Sequence, residues 1–169
     1  MQCECGRSMR KRQVTKAAPY AYTESGLDNV VLSGITVYVC PYCQAEVPVI
    51  PRIGQLHRVI ADTLLHKPEL LTGQELRFLR KHAGLPAQKF ADLLEVRPEH
   101  LSRIENGHTK ALGKPTDRLA RALVLAASSR EDVRGVLLRM AEELGRRRRM
   151  RKAKRPVFTL VKNQWRLAA

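Results

Sequence analysis

Cys3, Cys5, Cys40 and Cys43 are the four cysteines of the chain, and they fall into two close pairs, C-E-C-G and C-P-Y-C. Thiolates bind zinc tetrahedrally, and two short pairs on turns can each supply two corners of such a site. Gly6 and Pro41 are turn residues suited to these two knuckles. Four protein ligands leave no open coordination position, so the ion is expected to be structural rather than catalytic. The alternative is a set of free or redox-active thiols, since C-x-x-C also occurs in thiol oxidoreductases. There the motif opens a helix, whereas here it follows the alternating run Ile35, Val37, Val39, which reads as a strand.

A second group of residues suggests a different chemistry. Leu85 to Gly107, LPAQKFADLLEVRPEHLSRIENG, reads as two short helices joined by a tight turn. Phe90, Ala91, Leu94, Val96, Leu101 and Ile104 pack the pair together. Glu99, Arg103 and Asn106, at spacings of four and three, then share an exposed face of the second helix. A short helix with a polar face beyond a compact turn has the geometry to enter a DNA major groove. Arg103 is a candidate DNA contact, to base or phosphate, with Glu99 and His100 beside it. Gln88, Lys89, Asn106, His108 and Lys110 are candidate phosphate contacts. The competing role for Arg103 is a surface pair with Glu99, worth only about 0.3–0.5 kcal/mol, which DNA would displace.

The elements that must position these groups can be read in order. Tyr20, Tyr22 and Tyr38 with Val30, Val31 and Leu32 suggest short strands of a sheet too small to stand without metal. Pro48 and Pro51 mark the end of that unit. Leu56, Ile60 and Leu64 give the period of an amphipathic linker helix, which stops near Lys67-Pro68. Thr72 and Glu75 form a capping box flanked by a Leu71–Leu76 staple, and the helix they open runs to about His82, with Gly84 as its stop. Pro86 and Pro98 suit the first turns of the two motif helices, with Gln88 as a substitute cap, and Gly107 ends the second. A further helix starts near Pro115 with Leu119, Ala122, Leu123 and Ala126 facing the core. A last one, from about Ser129, presents Val133, Leu137, Met140, Ala141 and Leu144.

Lys and Arg outnumber Asp and Glu by 31 to 16 in 169 residues, a net charge of +15 that calls for a polyanionic partner. Arg146, Arg147, Arg148, Arg149, Arg151, Lys152, Lys154 and Arg155 supply eight of those charges within ten residues. Such a run repels itself and reads as a disordered basic tail. VFTLVKNQW beyond it has the character of a short strand or docking peptide. No apolar run reaches the roughly 20 residues of a spanning helix, and the N-terminus lacks the apolar core of a signal peptide. A cytoplasmic protein without a membrane partner is expected. The five histidines lack metal or triad spacing, no glycine loop cradles phosphate, and no carboxylate pair stands out, so an enzyme is not expected.

The SRIENG segment, with LL-V before it, closely resembles the helix-turn-helix of the Cro/λ-repressor (Xre) type. Together with the four-cysteine module and helical linker, it resembles the MqsA family of antitoxins, also called YgiT-type zinc-finger proteins. The resemblance spans about residues 1–125 and is most specific in NVVLSGITVYVCPYC and HLSRIENG. It implies zinc on Cys3, Cys5, Cys40 and Cys43, a base contact from Arg103, and a toxin bound by the N-terminal half. It also implies a homodimer on a palindromic operator in double-stranded DNA that represses its own operon. The first knuckle is C-x-C where the family has C-x-x-C, and Glu99 stands where the family has a base-reading asparagine, so the operator should differ. Pro86 and Ala87 replace the usual polar cap and glutamine, and the basic tail has no counterpart.

The expected fold is mainly α, with a small N-terminal zinc-ribbon-like β module and an Xre-type five-helix DNA-binding domain. Its divisions are a zinc module at 1–50, a linker helix at 51–68, the helix-turn-helix domain at 69–145 and a basic extension at 146–169. The expected function is a sequence-specific repressor that is the antitoxin of a type II toxin–antitoxin pair. The alternatives are a stand-alone Xre-type repressor of phage or mobile-element origin and an RNA- or ribosome-associated zinc protein.

Overall fold

A computed structural model describes residues 1–128 and 156–168. The helix expected from Ser129 and the basic run Arg146–Arg155 lie outside the described residues. The chain forms two compact units, Met1–Val59 with Lys154–Ala169, and Ile60–Ala153.

The first unit holds seven strands in two sheets. β1 (Arg10–Gln13), β4 (Thr36–Val39) and β5 (Glu46–Val49) form an antiparallel sheet in the order β1-β4-β5. β2 (Tyr20–Ala21), β3 (Val31–Ser33), β6 (Val157–Val161) and β7 (Gln164–Leu167) form a second in the order β2-β3-β6-β7. Pro48 does not end the unit. It sits within β5, opposite Val37, where an edge strand tolerates the missing N–H.

The segment expected as a short strand or docking peptide forms two strands that join the sheet. β6 pairs in parallel with β3, Leu32 opposite Phe158, and Ser33 Oγ lies 2.9 Å from Thr159 Oγ1. β6 turns into β7 through Lys162 and Asn163, both at positive φ (47° and 61°), the conformation of a tight two-residue hairpin. Gly34 makes the close approach possible, since a Cβ there would lie 2.7 Å from the Leu160 carbonyl. Phe158 and Trp165 are buried, as are Tyr22, Leu27, Val30, Leu32 and Val37 of the same unit, and the indole N–H donates to Pro51 O at 3.0 Å. The returning hairpin therefore extends the apolar core that Leu27, Val30, Leu32 and Val37 begin.

The division between the units falls inside α1 (Ile53–Leu65). The second unit continues with α2 (Gly73–His82), α3 (Ala87–Leu93), α4 (Pro98–Glu105) and α5 (Lys114–Ser128). The capping box forms as its residues indicate: Thr72 Oγ1 accepts from Glu75 N, and Glu75 Oε2 accepts from Thr72 N at 2.7 Å. Pro98 occupies the first turn of α4. Pro86 instead precedes α3 as its cap residue without a side-chain bond, and Gln88 does not substitute, because its amide donates to Asp92.

Three successive helices stop in the same way. After α2, Gly84 N–H bonds Lys81 O and Leu85 N–H bonds Arg80 O; after α4, Gly107 N–H bonds Ile104 O and His108 N–H bonds Arg103 O. After α3 the same pair of bonds runs from Glu95 to Asp92 and from Val96 to Ala91. This is the Schellman termination, which requires a left-handed residue just past the helix. Glycine fills that position twice, and Glu95 fills it with φ 55°.

The apolar face expected of α5 is displaced. Its buried stripe is Asp117, Ala120, Arg121, Val124 and Leu125, whereas Leu119 and Ala126 are exposed and Ala122 and Leu123 half-buried. Two charged residues occupy core positions because they hold other elements. Arg121 donates to Asp117 and to the carbonyls of Leu64, Leu65, Lys67 and Glu69, gathering the open C-terminal end of α1 and the segment after it. Asp117 Oδ1 accepts from Leu71 N at 2.8 Å.

Two stability outcomes follow from these contacts. Phe158→Ala should cost the first unit about 3–5 kcal/mol, the usual price of emptying a buried aromatic site. The sole tryptophan, Trp165, reports that unit's urea transition; an unchanged midpoint would mean that the hairpin does not hold it together. Glu95→Gly should stabilise the second unit by up to about 1 kcal/mol, because the left-handed strain of a side-chain residue exceeds glycine's added chain entropy. A lower midpoint in helix-monitored denaturation would contradict that reading.

Candidate metal centre and nucleic-acid interface

Each cysteine pair is presented by a tight turn closed by backbone bonds. In the first, Cys3 N–H bonds Arg7 O at 2.8 Å and Gly6 N–H bonds Cys3 O at 2.9 Å, with Gly6 at φ 79°. In the second, which joins β4 to β5, Cys40 N–H bonds Ala45 O at 2.9 Å and Gln44 N–H bonds Cys40 O at 3.1 Å. The Arg7 guanidinium lies 4.6 Å from the centre of the Tyr42 ring, so a cation–π contact links one turn to the other. The C-x-C spacing thus does not prevent the first pair from meeting the second.

The four sulfurs lie within 4.8 Å of one another, and none is in a disulfide. Backbone N–H groups of Cys43 and Tyr42 point at the Cys40 sulfur and bring its pKa down to about 6. Cys3 and Cys43 each receive one backbone N–H, from Cys5 and Ala45, yet both are raised, because surrounding thiols and burial outweigh it. The Cys40 thiolate forms readily while Cys3 and Cys43 resist, the behaviour of like charges brought together. A divalent cation would remove that resistance, and an all-sulfur set of four converging donors suits a closed tetrahedral site. The cluster can hold a metal ion.

In the second unit, α3 and α4 form the bent helix pair expected at Leu85–Gly107. Gln88, Lys89, Glu99, His100, Arg103, Asn106, His108 and Lys110 are all exposed. Glu99, His100 and Arg103 project from α4 opposite its buried side of Leu101, Ile104 and Glu105. Among the described residues Arg103 makes no ion pair, with Glu99 or any other acid. Asn106 is already engaged: its amide donates to Ser102 O at 2.9 Å and accepts from Arg77 at 3.2 Å. His108 and Lys110 follow on the loop beyond Gly107.

The residues that aim this face were not singled out in the sequence. Arg80 on α2 grips Glu105 at the end of α4 through two bonds of 2.7 and 2.8 Å, both partners buried. A third bond runs from Arg80 to Leu85 O at 2.9 Å, and Glu105 holds the Arg80 guanidinium above its ordinary pKa. Gly73, at the start of α2, lets the helices touch, since a Cβ there would sit 1.8 Å from Ile104 O. A signal was present in the chain. Arg80 falls on the stripe Leu76, Leu79, Arg80, and Glu105 on Leu101, Ile104, Glu105, so opposite charges occupy core positions of two neighbouring helices.

No helix among the described residues is long and apolar enough to cross a membrane. No curated protein and no solved structure matches the chain. Residues 76–123, from the first turn of α2 into α5, match the family model described as helix-turn-helix, so the second unit carries a helix-turn-helix domain of the kind found in Xre-type DNA-binding regulators.

Proposed function

We propose that the chain is a sequence-specific transcriptional repressor that reads a palindromic operator as a homodimer. The observation that carries this reading is the exposed face of α4, where Arg103, without an ion pair among the described residues, stands beside Glu99 and His100 on a helix anchored by a buried ion pair. A guanidinium with two unspent N–H edges suits the O6 and N7 of guanine, and the Glu99 carboxylate suits the N4 amino group of cytosine. Gln88, Lys89, His108 and Lys110 flank that face and supply phosphate contacts. The Asn106 amide positions the helix end, in addition to any contact of its own with the backbone.

The cysteine cluster holds one structural zinc ion, which fastens the two turns together and performs no chemistry of its own. The likeness to MqsA-type antitoxins supports a further step, that the protein is the antitoxin of a toxin–antitoxin pair and that its first unit binds the toxin. In that case the toxin-binding part includes the C-terminal hairpin, since residues 1–66 alone lack the buried Phe158 and Trp165.

Arg103→Ala should remove about 1–3 kcal/mol of discrimination between operator and scrambled duplex, with weaker unspecific binding retained. Fluorescence anisotropy on both duplexes measures it, and undiminished preference would show that α4 is not the reading helix. Protein purified without added metal should contain one zinc per chain by elemental analysis. Metal-free protein whose four thiols titrate freely would remove zinc from the account.

A further inference from the structure

The four sulfurs are not equivalent. Each makes its close contact with a sulfur of the other turn: Cys3 Sγ to Cys43 Sγ at 3.4 Å, and Cys5 Sγ to Cys40 Sγ at 3.6 Å. Exposure divides them in a complementary way. Cys5 and Cys43 are exposed, whereas Cys40 is buried and Cys3 half-buried, so each close pair contains one sulfur open to solvent and one sheltered. Backbone bonds brace both turns, and the Arg7–Tyr42 contact links one to the other. A disulfide needs a sulfur separation of about 2.05 Å, and small side-chain rotations across the gap can reach it. Within the C-x-C turn the same bond would close a small strained ring. A Cys40–Cys43 bond would leave Cys3 and Cys5 facing only that unfavourable closure.

We propose that the cluster is an oxidation site that converts into two disulfides crossing between the turns, Cys3–Cys43 and Cys5–Cys40. A peroxide is the oxidant. In each pair one thiolate attacks a peroxide oxygen, the O–O bond breaks, and a sulfenic acid and hydroxide form. The other thiolate of the pair then attacks that sulfur and expels its oxygen as a second hydroxide, forming the S–S bond. Two electrons pass from each pair to one peroxide, solvent protons convert the hydroxides to water, and the four sulfurs would no longer offer thiolate donors to a divalent ion. The turns stay apposed, because covalent bonds replace the ion along the same contacts. Oxidation thus exchanges one cross-link for another and spares the unit's fold. The inference rests on the proposed zinc only for its starting state.

The test uses full-length protein treated with hydrogen peroxide and then alkylated. Proteases that cut after Glu4 and after Tyr42 place every cysteine on its own peptide, and mass spectrometry without reduction identifies the pairs. Linked peptides for Cys3–Cys43 and Cys5–Cys40, with release of the ion in step and reversal by dithiothreitol, are expected. A Cys40–Cys43 loop, the opposite crossing of Cys3–Cys40 with Cys5–Cys43, or sulfinic and sulfonic acids in place of disulfides would overturn the proposal. The two readings fail separately. Metal-free protein that still yields the crossed disulfides removes zinc and supports the oxidation site, whereas zinc-loaded protein that yields the Cys40–Cys43 loop does the reverse.

Discussion

A guanidinium taken out of water must meet opposite charge and enough acceptors, and the helical unit is organised around two that do. Arg80 fastens the end of α4 to α2 through Glu105, and Arg121 fastens the end of α1 to α5 through Asp117 and four backbone carbonyls. Removing one partner of such a buried pair costs about 3–5 kcal/mol, since the other charge is left without compensation. An apolar substitute for both would be about as stable, so the ion pairs contribute direction more than strength. Their bonds have fixed directions, which restricts how the helices can be set against each other. For a helix that must meet base edges in register, that restriction is the useful property.

The first unit meets the same problem by other means. A ribbon of short strands around a four-sulfur cluster builds only a small apolar core, and the chain extends it from far away in sequence. The hairpin at 156–168 supplies Phe158 and Trp165 and pairs in parallel with β3, so the last residues of the chain complete its first unit. In sequence, the basic run at Arg146–Arg155 lies between α5 and a strand built into a sheet.

Features set by neighbouring residues were legible in the sequence. The Thr72–Glu75 box, the glycine stops at Gly84 and Gly107, Pro98 in a first turn and the turns carrying the cysteines all depend on contacts within a few positions. The convergence of the four cysteines was also legible, because metal-ligand spacing is itself a statement about distance. Two kinds of feature were not. The pairing of β6 with β3 joins residues separated by more than a hundred positions, and nothing in VFTLVKNQW names its partner strand. The buried face of α5 was misread because periodicity treats charged residues as exposed, while Asp117 and Arg121 lie inside. The same assumption concealed Arg80 and Glu105. Charges at stripe positions on helices that must pack together would have revealed both pairs.

The central claim is that the exposed face of α4 reads a DNA sequence. Selection from a pool of random duplexes with the full-length protein, followed by sequencing of the retained molecules, measures it directly without an operator known beforehand. The account predicts one enriched motif with two-fold symmetry, its half-sites about one helical turn apart and each containing a guanine. Retention of duplex with no motif enriched above the starting pool would contradict it, and would reduce the basic surplus to an unspecific attraction for phosphate.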